Sequence, residues 1–385
     1  MSETNQQNKA DGQSWLAVGA WWAVLVLATV FILVTYGNQL DVYEVTILFL
    51  TGFSMAWLGK VWPPFRWHAL AVAVLSLFAL RQYGADLSMA QQDFWLNYVL
   101  ASQSAIMWMS AFYLVSTVTY FGGLIARSDY TQKLGSRFAW IATTMGMVGL
   151  MVRWRESHMM GADIGYIPVS NLYEVFILFC VITSLIYLFY ERRYSTRGLG
   201  GFVMLMITAA VMFLLWYAFE RNAHEIEPLV PALQSYWMKI HVPTNFIGYG
   251  AFAIATMIAV AYLLVSWRAE KNPESEFVKA MPSLDAMDDL MHKSIALGFA
   301  FFTVATILGA FWAAEAWGGY WTWDPKETWS LILWLNYAAW LHMRFTKGWH
   351  GRPMAWWAIA GFFVMLFTFL GVNIFLSGLH SYGGL

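Results

Sequence analysis

Cysteine and charged residues are both scarce in this chain. Of its 385 residues only Cys180 is a cysteine, and it lies in the apolar run VFILFCVITSL, which excludes a disulfide framework and a cysteine-ligated metal cluster. Charged residues make up 12% of the chain, against about 25% in soluble proteins, and 59% of the residues are hydrophobic. A net charge of −1 gives no reason to expect a nucleic-acid partner. The composition predicts a membrane protein in which any cofactor is held by ligands other than cysteine.

Apolar segments long enough to cross a membrane recur along the chain. The polar N-terminus, MSETNQQNKADGQ, is not followed by a short apolar region with a small-residue cleavage site, so the first segment is predicted to be a retained helix. The sequence therefore predicts an all-α, polytopic bundle of about eleven transmembrane helices. They lie at 15–34, 42–58, 67–84, 104–125, 138–152, 171–190, 201–219, 246–266, 293–313, 329–345 and 354–376.

The distribution of lysine and arginine predicts the orientation. If the N-terminus is cytoplasmic, sixteen of the 22 basic residues lie in segments on the inner side, as the positive-inside rule requires. The C-terminus is then outside. The loops around 153–170, 220–245, 314–328 and 377–385 face outward, whereas the charged segment 267–292 faces the cytoplasm.

The segment WGGYWTWDPKETW at residues 317–329, called here the tryptophan-rich segment, has two interpretations. Tryptophan and tyrosine are common at membrane interfaces, which favours an ordinary aromatic belt. However, a belt needs rings and not carboxylates, and Asp324 and Glu327 lie among the rings. A large, flat, mostly apolar ligand would use rings against its face and polar groups at its rim. Gly318 and Gly319 would permit close approach of the backbone.

Three of the eight histidines indicate a metal-dependent function. His241 precedes the span at 246–266 and His380 follows the last span, so both lie at the outer level of the tryptophan-rich segment. Two neutral imidazoles at that level are suited to be axial ligands of a haem iron, although two interfacial histidines exposed to water would give the same pattern. Of the other histidines, those at 68, 292 and 350 fall at or near the cytoplasmic ends and are interpreted as solvated, and those at 158 and 224 fall in outside loops.

His342 lies within a predicted span. It follows Trp329 by thirteen residues, which places it ~20 Å from the outer surface in a helix. An ionisable residue inside a span indicates a functional site, although a hydrogen bond to a neighbouring helix is the alternative. If His342 binds haem, it occupies a second, inner site, and the two sites together indicate movement of a ligand across the membrane.

The motif GYIPVSNLYEVF lies where a predicted span begins on the outer side. Asn171 is predicted to cap that helix, and Glu174 in its first turn complements the helix dipole. Glu174 would also enter the apolar region, where it is expected to pair with Arg153 or Arg155.

Four motifs in register resemble one family. WGGYWTWDPKETWSLILWL resembles the WWD signature of haem-handling proteins, and PALQSYWMKIHV, GYIPVSNLYE and GVNIFLSGLHSYGG resemble the flanking motifs of the CcsA/ResC type of cytochrome c biogenesis protein, sometimes labelled CcsB. The resemblance implies a haem-handling domain at 141–385, while 1–140 contains transmembrane helices without an assignable motif. It implies haem b as the cofactor, His241 and His380 as ligands of an outer haem, and His342 as part of an inner site. The implied contacts of the haem are Trp317, Gly318, Trp321, Trp323, Asp324, Glu327, Trp329, Asn171 and Tyr173.

The implied activity is haem export and presentation on the outer face, as a subunit of a membrane cytochrome c synthase (haem lyase) complex. Expected partners are a Ccs1/ResB-type membrane protein, apocytochrome c with its Cys-x-x-Cys-His motif and, indirectly, thiol-reducing proteins, in the bacterial cytoplasmic membrane. No side chain is an obvious acid/base catalyst, and the candidates are Asp324, Glu327 and Glu174. The alternatives are a haem lyase or chaperone-binding WWD protein of the other maturation system, a haem b electron carrier, and a transporter without haem.

Overall fold

The computed structural model describes residues 15–161 and 164–380, and in this part of the chain helices are present and strands are not. The all-α prediction is therefore confirmed. The long helices are α1 (Trp15–Tyr36), α2 (Val42–Val61), α3 (Pro63–Tyr83), α4 (Ser102–Ile125), α5 (Asp129–Met160), α6 (Leu172–Tyr194), α7 (Gly200–Arg221), α8 (Tyr236–Lys271), α9 (Leu284–Trp317), α10 (Pro325–Lys347) and α11 (Arg352–Leu366). Short helical turns lie at Gly37–Gln39, Met89–Gln92, Leu96–Leu100, Arg197–Leu199, Pro231–Leu233, Glu276–Ala280, Phe367–Gly371 and Val372–Phe375.

Most of the long helices have the length and composition of membrane spans. Within the described residues, 9 helices qualify, which confirms a polytopic membrane protein. Helices α5 and α10 contain 32 and 23 residues and are long enough to cross, but they are more polar than the others. Both coincide with predicted spans, and the count of eleven crossings stays a prediction.

The chain divides into two compact units, Met1–Val74 and Leu75–Leu385. In the first unit, helix α1 packs on α2, where the Trp21 indole donates a hydrogen bond of 3.1 Å to the carbonyl of Met55. The second unit contains the tryptophan-rich segment and all three histidines predicted to bind iron. The functional boundary predicted near residue 140 stays a prediction.

Local signals set the helix ends that matter for function. Helix α10 begins with a capping box in which the Asp324 side chain accepts from the backbone of the first turn and Glu327 bonds back to the Asp324 amide. Pro325 follows at the first helical position, where its missing N–H costs nothing. Helix α9 ends at Gly318, which has a φ of 77° that glycine adopts without strain. The link between α9 and α10 is therefore only residues 318–324.

Small residues allow α8 and α9 to approach closely. A Cβ added to Gly248 of α8 would lie 3.2 Å from the Gly298 carbonyl oxygen of α9, and one added to Gly298 would lie 2.6 Å from the Phe252 ring. Small residues at a helix interface bring backbones close enough to pack well in a membrane. This contact brings α8 close to α9, two turns along α8 from His241.

Candidate functional site

A cavity of about 560 Å³ lies where the tryptophan-rich segment meets the ends of the helices. Its size is within the range of roughly 300–1,000 Å³ that small-molecule sites occupy. Its wall includes residues of α6 to α10 and the end of the last helix, together with His241 and His380. The structure therefore brings the two outer histidines, which are far apart in sequence, to one cavity.

His241 reaches the cavity from the first turns of α8. Its Nδ1 lies 2.7 Å from the carbonyl oxygen of Ala305 in α9. A carbonyl only accepts, so Nδ1 carries the proton and the lone pair is on Nε2. A Cβ on Gly309 would lie 3.0 Å from Cε1 of this ring, so the glycine leaves room for the imidazole.

His380 reaches the cavity from the segment after the last helix. Its Nδ1 lies 2.9 Å from Oδ2 of Asp324, and the other carboxylate oxygen accepts a 2.6 Å hydrogen bond from the Leu379 amide. Burial lowers the pKa of His380, and the hydrogen bond that its ring donates to Asp324 opposes this shift in part. With Nδ1–H donated to the carboxylate, Nε2 again carries the lone pair. Asp324 therefore both caps α10 and orients His380.

Two tryptophans position the imidazoles. The ring of Trp312 lies near both histidines, with centroid distances of 5.7 Å to His241 and 5.9 Å to His380. Trp317 contacts His380 edge to face at 4.5 Å. The Trp312 indole donates to the Ala232 carbonyl at 2.8 Å, which fixes its ring. Sequence analysis missed Trp312 because a tryptophan near the end of a span is typical of any interfacial helix.

The predicted haem contacts fall into three groups. Trp321, Glu327 and Asn171 line the cavity. Trp317 and Asp324 contact His380 instead. The others are not part of the cavity lining. Gly318 ends α9, and Trp323 is 68% exposed with its edge to Trp321. Trp329 packs on Phe367 at 4.3 Å, and Tyr173 donates to Gln103 at 2.9 Å.

The carboxylate of Glu327 has structural partners in the loop. It accepts a 2.7 Å hydrogen bond from the Thr322 amide and a 3.2 Å bond from the Asp324 amide. These bonds hold residues 322–324 in a tight turn in which Trp323 has a φ of 59°, a conformation that a tryptophan rarely adopts. Glu327 thereby fixes the loop that carries Trp321 and Asp324.

Glu174 forms the buried ion pair that the sequence predicts, and its partner is Arg153. The Nε···Oε1 distance is 2.6 Å, and the side chains are 1% and 0% exposed. Arg153 also donates to the carbonyls of His224 and Glu225, and Ser170 donates twice to Glu174. Asn171 caps α6 as predicted. The pair therefore ties α5 and α6 to the loop at 222–235, part of which lines the cavity.

His342 lies apart from this cavity. It is exposed on α10, and its carbonyl accepts from Thr346 at 2.6 Å. Of the histidines interpreted as solvated, His68 is buried, which differs from the expectation for a helix end. His158 is exposed, and its ring bonds to the Trp154 carbonyl.

Further polar residues line the cavity without having been singled out in the sequence, notably Lys326 and Asn245. In the described ranges there is no group of three or more histidine, cysteine, aspartate or glutamate side chains arranged to hold a metal ion. Two imidazoles alone do not complete a protein-only metal site of the usual kinds.

Comparison with known proteins gives a consistent set of relatives. The model of the family described as cytochrome C assembly protein matches residues 169–380. A cytochrome c biogenesis protein CcsA of Guillardia theta is 36% identical over 292 residues, covering 71% of this chain and 93% of that protein. The CcsA of Gloeobacter violaceus is 33% identical over 327 residues, with the same two coverages of 71% and 93%. The matched family range contains His241, His342 and His380.

A solved structure has a similar fold. The chain described as cytochrome c heme lyase CcmF aligns with a TM-score of 0.50 at 18% identity, covering 70% of this chain and 46% of that chain. At this level of identity the similarity shows a shared helical fold.

Proposed function

The chain belongs to the cytochrome C assembly protein family as a CcsA-type cytochrome c biogenesis protein, and from that premise we propose that its cavity binds haem b and presents it for attachment to apocytochrome c. His241 and His380 are the proposed axial ligands. Haem is the substrate that the protein carries, and the covalent product forms on the cytochrome. The proposal also assigns the cavity to the outer face of the bacterial cytoplasmic membrane.

The hydrogen bonds of the two imidazoles carry this proposal. Each ring gives its Nδ1 to a protein acceptor, the Ala305 carbonyl for His241 and the Asp324 carboxylate for His380. Each therefore offers an Nε2 lone pair at the cavity that both residues line. Metal-binding histidines are typically oriented in this way by a bond from the other ring nitrogen. Solvated interfacial histidines need no such acceptors.

The proposed contribution of the protein is orientation. Thioether bonds form when the two thiols of a Cys-x-x-Cys-His motif add to the haem vinyl groups, which requires the porphyrin to be held in one position. The histidines fix the porphyrin at its centre, and Trp321 and the loop held by Glu327 form part of the surrounding wall. The groups that act on the haem are thus positioning groups, which is the usual contribution of a protein to cofactor chemistry.

We assign His342 to an inner haem site shared with a partner. Its exposure on α10 leaves the ring accessible to another membrane protein, and an exposed imidazole within a membrane helix is costly unless something binds it. A Ccs1/ResB-type subunit is the proposed source of the second inner ligand.

The absorption spectrum of the purified chain reconstituted with haem tests the outer site. We expect a six-coordinate, bis-histidine spectrum that is lost in His241→Ala and in His380→Ala, because each variant removes one axial bond. His158→Ala is the matched control, since that ring is exposed and bonded to its own helix, and it should keep the spectrum. A bis-histidine spectrum that survives in both cavity variants would show that other residues bind the iron.

Replacement of Asp324 by asparagine should weaken haem binding without unfolding the loop. Asparagine is as good a helix cap as aspartate, so α10 should still begin correctly, but the acceptor for His380 loses its charge. Loss of a hydrogen-bond acceptor that orients a metal-binding histidine typically lowers metal affinity by about 10- to 100-fold. Haem titration of the variant measures this. Asp41→Asn, in the same type of capping box at α2, is the control and should bind haem normally. Equal affinities in the two variants would refute the orienting role of Asp324.

A further inference from the structure

Lys326 is a charged group in the cavity wall that the axial-ligand scheme does not use. Its ammonium donates to the Phe369 carbonyl at 3.0 Å and to the Asn373 side-chain oxygen at 2.9 Å. Both acceptors are neutral, and an ammonium has three donors. No carboxylate among residues 15–161 and 164–380 forms an ion pair with this ammonium. Asp324 acts on this charge through space, but the hydrogen bonds of the ammonium itself go to neutral oxygens.

A cation in the cavity wall that is bonded to neutral oxygens favours an anionic ligand group. Removing a charge from water is costly unless a counter-charge accompanies it. The lysine also lies beside the proposed iron ligands, because its own amide donates to Asp324 Oδ2 at 3.0 Å, the oxygen that holds His380. A ligand held by His380 would thus extend within reach of Lys326.

The charges elsewhere in the wall indicate where a carboxylate would go. The segment that follows α7 contributes Glu225 and Glu227 to the cavity, together with Arg221 at the helix end. Glu327 of α10 also lines the cavity, but its carboxylate accepts hydrogen bonds from the Thr322 and Asp324 amides, whereas the hydrogen bonds of the Lys326 ammonium go to neutral oxygens. The electrostatics therefore favour carboxylates on the side formed by α10 and the last helical turns.

We infer that Lys326 binds a propionate carboxylate of the haem and so sets which edge of the porphyrin faces outward. This inference rests on the proposed function, since it requires a porphyrin held by the two histidines. A porphyrin with its carboxylates fixed on one side has its vinyl groups fixed on the other, so Lys326 would select the edge at which the cytochrome thiols add. Its role is that of a positioning residue for the carboxylate-bearing edge.

Binding of haem and of its dimethyl ester, compared in the same purified variants, tests this inference. The ester keeps the iron, the ring and the vinyls but cannot carry a negative charge. We expect the native chain to bind haem about tenfold more tightly than the ester, because a charge-assisted hydrogen bond is worth about that factor. Lys326→Met should abolish the preference. Lys326→Gln keeps a donor for the Phe369 carbonyl but no charge, and it should behave like Lys326→Met.

A control variant and the ratio of haem affinity to ester affinity make the test independent of folding defects. Lys239→Met is the matched control, because that ammonium lies over the Tyr236 ring at 4.3 Å, outside the cavity lining, and it should keep the native preference. Both ligands are measured on one folded variant, so a general loss of affinity cancels in the ratio. A bis-histidine spectrum with an unchanged preference in Lys326→Met would overturn the inference alone. No bis-histidine spectrum with either porphyrin would overturn the proposed function as well.

Discussion

Cells that carry His380→Ala or His241→Ala should produce little or no mature cytochrome c. Each substitution removes one of the two proposed bonds that hold the iron between α8 and the segment after the last helix. A displacement of a substrate by about 1 Å can lower the reaction rate about 100-fold. A porphyrin that has lost one axial bond can move by more than this distance. Covalent haem in a reporter cytochrome, detected after denaturing electrophoresis, measures the loss. We expect a decrease of about 100-fold or more.

Added imidazole separates the loss of a ligand from the loss of the fold. In either variant the alanine leaves space where the native ring lay, so free imidazole should occupy the open iron position and restore part of the maturation. His224→Ala, whose ring bonds to the Ala218 carbonyl near the end of α7, is the control and should mature cytochromes at the native level. Normal maturation in both cavity variants, without imidazole, would disprove the axial-ligand assignment.

Glu174→Ala should destabilise the protein more than any other single substitution considered above. It leaves the Arg153 guanidinium, 1% exposed, without its counter-charge. Breaking a buried ion pair by removing one partner costs about 3–5 kcal/mol, whereas replacing both partners by apolar residues is often neutral. Unfolding of the purified protein in detergent, followed by circular dichroism, should show a large loss for Glu174→Ala and partial recovery in Arg153→Met/Glu174→Leu.

An exposed ion pair provides the comparison for Glu174. Asp289 and Lys293 are one turn apart on α9, and the Lys293 Nζ lies 2.7 Å from Oδ2 of Asp289. Both side chains are about half exposed. Asp289→Ala should cost less than about 1 kcal/mol, because water screens such pairs. If the two alanine variants had equal stability, the Arg153 pair would not hold the cavity wall together. A stable Glu174→Ala protein that fails in maturation would instead favour the catalytic role that sequence analysis considered for Glu174.

Short sequence patterns predicted part of the candidate site. The Asn171 cap and the pair of Glu174 with Arg153 or Arg155 followed from local patterns and charge, and in the structure Asn171 caps α6 and Arg153 is the partner. The tryptophan-rich segment was predicted as a ligand wall, yet only Trp321 of its four tryptophans lines the cavity. Trp323 points away because a left-handed backbone conformation turns the loop at that residue. No periodicity in the sequence indicates such a turn.

By itself the sequence determined that the chain is a helical membrane protein, which family it resembles, and that His241 and His380 lie at one level. Those properties depend on runs of apolar residues, on the placement of lysine and arginine, and on short motifs. Only the tertiary structure decided which ring nitrogen each histidine offers, because the acceptors Ala305 and Asp324 are 64 and 56 residues away along the chain. It also decided that the Lys326 ammonium lies in the cavity wall and donates to two neutral oxygens, those of Phe369 and Asn373. Hydrogen bonds between distant helix ends depend on packing, and a sequence pattern does not specify that packing.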